Sequence, residues 1–241
     1  MKPLACLTIA ATMMFSVLPR CALAATFASR SLVCAVYGEK DGELGIDLGR
    51  VGEIDFSVRK VLAPPGTVEP GKFPNTPAWS LLRVGCWSAN GVVGFMFAAD
   101  RQGPAPAAPK DTFPANGFTN VDVGVRQVYG KGGGANPVLV EAGTLHSYVQ
   151  AMNRMGTRPG NYGGINPDPA TYREASLAPL AEGLAATLYL YRYTLDLEKA
   201  KAGTIVYSLD RGADSATEYF ATLGFAADGS IVLNPEKGGT D

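Results

Sequence analysis

Gly45-Ile46-Asp47-Leu48-Gly49-Arg50-Val51 alternates apolar and polar positions, and Ile54-Asp55-Phe56-Ser57-Val58 repeats the pattern just downstream. Period two is the mark of a strand with one buried face and one wet face. Outward from this pair, 79–86 (WSLLRVGC) and 91–98 (GVVGFMFA) are candidate strands about an Ala89-Asn90-Gly91 turn. Val121, Val123 and Val125 fall on one strand face, opposite Asp122 and Arg126. Thr187-Leu188-Tyr189-Leu190-Tyr191-Arg192-Tyr193 is rich in aromatic strand formers, and strands at 204–209 and 217–225 follow it. The expected fold is all-β, an antiparallel β-sandwich. One short helix is expected over 143–155, where Leu145, Tyr148, Val149 and Met152 recur at helical spacing in a stripe suited to packing on a core.

Gly 29 and Pro 17 supply the turns that such a fold needs. They gather in long loops at 62–77, 102–119, 130–137 and 156–170, read as insertions in a single domain. Residues 103–109 (GPAPAAP) cannot join a ladder, because proline has no N–H to donate. Lys+Arg 21 against Asp+Glu 22 leaves a net charge of −1, so no bulk field attracts nucleic acid or an anionic membrane. Arg50, Arg59, Lys60 and Arg83 alternate with apolar residues and read as solvated outer faces of strands.

Residues 1–24 have the three parts of a secretory leader: Lys2, an apolar run over 4–18, and the A-x-A site Ala22-Leu23-Ala24. The run is too short for a typical membrane span. Cleavage leaves one domain over 25–241 and two cysteines, Cys34 and Cys86. In an oxidising compartment such a pair is expected to form one disulfide, worth about 4 kcal/mol by loop entropy, with two free buried thiols as the alternative.

The sequence names no catalytic group. His146 is the one imidazole, Ser147 and Glu141 lie close to it in sequence, and residues at i and i+1 of a helix do not face each other. There is no GxSxG elbow, and Gly130-Lys131-Gly132-Gly133-Gly134 lacks the P-loop pattern and reads as a hairpin tip. A hydrolase using two carboxylates would need a pair that the sequence does not single out. No enzyme activity, metal or cofactor is expected.

The order of these features resembles pilin subunits of the bacterial chaperone–usher pathway. The resemblance rests on Cys34-Ala35-Val36, Ile46-Asp47-Leu48-Gly49 and Leu81-Leu82-Arg83-Val84-Gly85-Cys86, on Asn120-Val121-Asp122-Val123-Gly124-Val125 as the family's "NVGV" strand, and on Leu190-Tyr191-Arg192-Tyr193 followed by Lys201-Ala202-Gly203-Thr204. The closing Tyr219-Phe220-Ala221-Thr222-Leu223-Gly224-Phe225 resembles the strand that binds the periplasmic chaperone. The resemblance implies an immunoglobulin-like sandwich lacking its last strand, with Tyr219, Ala221, Leu223 and Phe225 lining an open groove. It also implies a fimbrial subunit assembled by strand addition, acting in cell adhesion and found first in the periplasm and then at the cell surface. Its partners would be a periplasmic chaperone, an outer-membrane usher, neighbouring pilin subunits and a host-surface receptor. Two departures favour a tip-located or minor subunit. Only 25–33 precede Cys34, a first strand would leave 25–28 with Phe27 as the single large apolar anchor of a donor strand, and Asp228-Gly229 begins an added hairpin beyond Phe225. A tip subunit would make contact through the loops 102–119 and 156–170. The alternative is a self-contained secreted β-sandwich binding protein completed by its own C-terminal strand.

Overall fold

The computed structural model describes residues 26–38, 41–76, 78–90, 94–101, 112–113, 116–154, 172–173, 175–203, 207–210, 219 and 221–235. The leader, Gly91 of the expected turn, the proline-rich stretch 103–109 and the loop 156–170 lie outside the described residues. The strands are β1 Ser31–Gly38, β2 Glu43–Arg50, β3 Lys60–Ala63, β4 Leu82–Asn90, β5 Gly94–Arg101, β6 Thr112–Phe113, β7 Val138–Val140, β8 Tyr172–Arg173, β9 Ala175–Ser176, β10 Ala186–Leu195, β11 Tyr207–Asp210, β12 Ala221–Phe225 and β13 Ile231–Pro235. The helices are α1 Asn116–Gly130, α2 Tyr148–Arg154 and α3 Leu197–Lys201.

All the strand pairs described are antiparallel, and hydrogen bonds link them in the order β3-β13-β12-β10-β5-β4-β1-β2-β7. Laid flat, β3 and β2 would stand about 34 Å apart at the usual strand spacing. Instead Ile46 of β2 and Leu62 of β3 line one cleft, so the path curls until its two ends meet. The result is an all-β sandwich in which facing layers enclose one aliphatic core. Leu32, Cys34 and Val36 of β1, Ile46 of β2, Leu188 and Leu190 of β10, Leu223 of β12 and Leu233 of β13 all point into it. Cys34 and Cys86 sit directly opposite each other across β1 and β4 within this core and form the expected disulfide.

Along β1 the other face of the sheet is not wet, as simple alternation had implied. All eight residues of β1 are buried, because α1 and α2 cover the side that would otherwise meet solvent. Val33, Ala35, Trp87, Tyr191 and Tyr193 meet Val125, Val128 and Tyr129 of α1 and Tyr148 of α2 in a second core.

Helix α1 corrects the strand expected at Val121, Val123 and Val125. At 100° per residue Val123 and Val125 face different ways, and Val123 is 49% exposed whereas Val125 is 0% exposed. The residues that share a face are Val125, Val128 and Tyr129, spaced by three and four, with the Asp122–Arg126 pair beside them. The second strand of the opening motif is also absent. Asp55 Oδ1 accepts from the Ser57 N–H and hydroxyl, closing an Asx turn that ends extended backbone, and β3 begins only at Lys60. Helix α2 starts later than 143, because Gly143 and His146 hold left-handed φ of +78° and +67°, and Ser147 Oγ receives the Gln150 N–H at the helix start. Leu145, expected on its buried stripe, is exposed.

The Asp228-Gly229 signal is realised as the β12–β13 hairpin. Gly229 holds φ +81°, where a side chain is disfavoured, and its N–H donates to Ala226 O at 2.9 Å. The 64–68 turn docks on this tip through Gly66 N–H to Asp228 O and Val68 N–H to Gly229 O.

Candidate functional site

A cleft of about 270 Å³ lies where the two ends of the sheet meet. Ile46 and Asp47 form one wall, Leu62, Ala63 and the 64–67 turn the other, and Asn136 with Pro137 closes an end. Strand β2 pairs with β7 only from Glu43 to Gly45, so Asp47 would have an open edge. The Asn136 carboxamide takes that place: its oxygen accepts the Asp47 N–H at 2.9 Å and its nitrogen donates to Asp47 O at 2.7 Å. The Asp47 carboxylate in turn accepts the Gly49 N–H at 2.8 Å and the Phe27 N–H. Opposite, Lys72 Nζ donates to Gly66 O and Thr67 O and holds the turn. The cleft therefore offers an apolar, proline-rich wall with a rim of polar groups already tied to one another. A lining of this kind is suited to holding a small group.

Two carboxylates are buried under the helical cover. Glu43, 2% exposed, faces outward from β2, and its oxygens accept from Tyr129 Oη at 2.8 Å, Tyr148 N at 2.6 Å and Val149 N at 3.0 Å. It holds the first turn of α2 onto the sheet. Burial raises its pKa above the ordinary carboxylate value, against the pull of those donors. Burial and the adjacent carboxylate raise the Tyr129 hydroxyl in turn. Asp122 of α1 accepts from Trp87 Nε1 at 2.8 Å and Arg126 Nε at 2.6 Å, and burial raises its pKa as well. Arg126 then reaches back to the chain start, donating to Ala28 O at 2.6 Å and Ser31 O at 2.8 Å. Both acids anchor helices and are closed to solvent. Gly45 leaves room for this arrangement, because a Cβ there would stand 2.5 Å from the Tyr129 ring.

Of the residues expected to line a groove, the structure brings three together and sets one apart. Ala221, Leu223 and Phe225 point into the aliphatic core, whereas Tyr219 packs against the outer cluster with its ring 4.8 Å from Tyr189. Strand β12 has neighbours on both sides, β10 and β13. His146 is exposed and lies beside Gly124, while Ser147 is buried. Glu141 is exposed, in the turn after β7. The glycine run at 130–134 is the connection from α1 to β7 rather than a hairpin tip. Arg50, Arg59, Lys60 and Arg83 are exposed. Within the expected contact loops, 116–119 belong to α1. Among the described residues no group of three or more His, Cys, Asp or Glu is placed to hold a metal ion.

The sequence reading places Asp47 and Asp122 only as polar positions of strands and does not single out Glu43 or Asn136, each being a single polar residue in an ordinary context. One signal was present, the Asp122–Arg126 spacing of four, which fits a helix and not a strand. No protein-family model, no curated protein and no solved structure matches the chain.

Proposed function

We propose that this chain is an exported, self-contained β-sandwich binding protein completed by its own C-terminal strand. The observation that carries this reading is β13. It lies beside β12, pairing Leu233 with Leu223 and Ile231 with Phe225, and buries Ile231 and Leu233 in the aliphatic core. An incomplete sandwich would leave that edge and those pockets open for a strand from another molecule. The start of the domain points the same way, since Phe27 packs on Tyr129 of its own chain, ring centroids 5.2 Å apart. On this reading the cleft between β2 and β3 is the surface that takes a small apolar or proline-bearing group. Deleting 227–241 should abolish cooperative unfolding of the isolated protein, and an unchanged melting curve would sink the proposal.

One observation favours the fimbrial reading as a second possibility. The Cys34–Cys86 bridge joins the two strands at which the pilin resemblance placed its cysteine pair. That reading carries immunoglobulin-like wiring, a periplasmic chaperone and usher, and a role in adhesion. Co-expression with a periplasmic chaperone separates the two. A soluble monomer indifferent to the chaperone supports the self-contained domain, and a stable subunit–chaperone complex supports the fimbrial one.

A further inference from the structure

We propose that the outer face of β10, β12 and β13 binds a neutral, extended polysaccharide, with a hollow at Gly224 as the seat of one sugar ring. This site is separate from the cleft described above and stands whichever reading of the chain holds. The helical cover leaves this part of the sheet partly open. Strand β1 is buried on both faces, whereas the outward positions Thr187, Tyr189, Thr222, Gly224, Val232 and Asn234 keep partial exposure. The register sets them in two rows, Tyr189–Thr222–Asn234 and Thr187–Gly224–Val232, with no bulge between the three strands. The glycine is the observation that carries the site. Glycine weakens the interior of a strand, and it belongs where the backbone needs a positive φ, where a neighbour fills the side chain's space, or where a ligand comes close. Gly224 does not hold a positive φ. A Cβ there would meet nothing nearer than Asn234 Nδ2 at 3.4 Å, an ordinary contact, unlike Gly45, where the Tyr129 ring stands at 2.5 Å. Backbone and packing both leave room for a side chain, and close approach of a ligand is the reason that remains.

What surrounds the hollow selects the ligand. None of these outward residues carries a charge. Thr187, Thr222 and Asn234 bring hydroxyls and a carboxamide, groups that both donate and accept hydrogen bonds. Tyr189, diagonal to Gly224 across the β10–β12 pair, brings an aromatic ring. Tyr219 holds that ring edge to face, with centroids 4.8 Å apart and planes at 74°, so it is ordered before any ligand arrives. A pyranose ring matches this set. One side of it is a layer of C–H bonds that buries against an aromatic ring, and its rim is hydroxyls that donate and accept. An ionic ligand would find no counter-charge among these residues, and a wholly apolar one would leave the polar groups unpaired. A β-1,4-linked chain is extended and flat, the shape that lies along two regular rows of a sheet, whereas an α-1,4-linked chain coils away from it.

The test is calorimetric titration of the purified, oxidised protein with cellohexaose and with mannohexaose. We expect a dissociation constant of about 1 mM or tighter for at least one of them. Coiled maltohexaose and a sulfated heparin hexasaccharide should bind at least about 10-fold more weakly. Tyr189→Ala should weaken binding by about 10-fold or more, because buried aromatic anchors carry most of the energy of such contacts. Gly224→Val should abolish binding by filling the hollow, yet leave the urea midpoint at or above that of the parent, since a β-branched residue suits a strand. Gly224→Ala is read if Gly224→Val does not fold, and Leu197→Ser, at an exposed site of α3, should bind as the parent does. A protein that binds neither flat hexasaccharide overturns the proposal. So does a preference for maltohexaose or heparin, and so does binding that survives both Tyr189→Ala and the Gly224 variant. Each of these failures leaves the C-terminal completion and the cleft standing, because the variants touch neither.

Discussion

The two cores on either side of the sheet are built from different chemistry. The inner one is aliphatic, with Leu, Val and Ile from both layers closing around the Cys34–Cys86 bridge. The outer one is aromatic, with Trp87 stacked on Tyr148 at 4.9 Å and Tyr129 against Phe27, and it contains the buried acids Glu43 and Asp122. Area burial and a covalent link hold the first; directional bonds to ionisable groups hold the second. A core of the first kind is insensitive to pH and fails all at once. One of the second kind responds to protonation and can release a helix without dissolving the sheet.

The largest effects should come from the inner core. Leu188→Ala leaves a cavity in the middle of the sandwich and should cost about 2–5 kcal/mol in urea denaturation. Cys34→Ser should cost a similar amount, about 2–5 kcal/mol, and mass mapping without reductant should find the bridge in the native protein. A smaller loss, about 1–3 kcal/mol, is expected for Trp87→Phe, which keeps an aromatic ring on Tyr148 but removes a donor from buried Asp122. If Trp87→Phe proves as costly as Leu188→Ala, the distinction between an area-driven and a bond-driven core is wrong.

Titration should sharpen the contrast. Glu43 has a folded pKa raised by burial above its ordinary 4.5. The folded chain therefore binds more protons than the unfolded one between 4.5 and the raised midpoint, and this group's contribution to stability falls as pH rises through that window. Asp122 acts in the same direction. Asp55 has the opposite sign: the Ser57 hydroxyl and N–H hold it below 3.8, so its contribution is present above that value and lost in acid. Following the Glu43 side-chain carboxyl by NMR should give a midpoint above 4.5, and Glu43→Gln should remove this part of the pH dependence while weakening the docking of α2. A midpoint at or below 4.5 would refute it. The smallest effect is expected on the surface. Lys201→Ala breaks an ion pair to Glu198 at 2.7 Å between two exposed side chains, and the melting curve should not move measurably.

Legibility in the sequence tracked locality. The Asp228-Gly229 hairpin was readable because a two-residue turn signal between apolar runs is a local demand on the backbone. Strands β2 and β10 were readable because one of their faces is lined with Leu and Ile in strict alternation. Helix α1 was not, because valines two apart imitate a strand, and only the packing shows that Val123 faces solvent and Val125 the core. The cleft was invisible for a related reason. It joins Asp47 to Asn136 across 89 residues, and its other wall belongs to β3.

By itself, the sequence determined that the chain is all-β, that Cys34 and Cys86 are its bridging pair, and that a C-terminal hairpin follows Phe225. The first and last are matters of side-chain period and turn chemistry, settled by near neighbours, and the bridge, which spans 52 residues, is a matter of thiol count. Only the tertiary structure decided that the sheet curls until β3 meets β2, that α1 and α2 cover part of its outer face, and that β13 lies between β12 and β3. Those outcomes depend on how much apolar surface each face must hide and on what can be brought against it. Alternation reports that a strand has two faces, but it takes the folded molecule to show what lies against each of them.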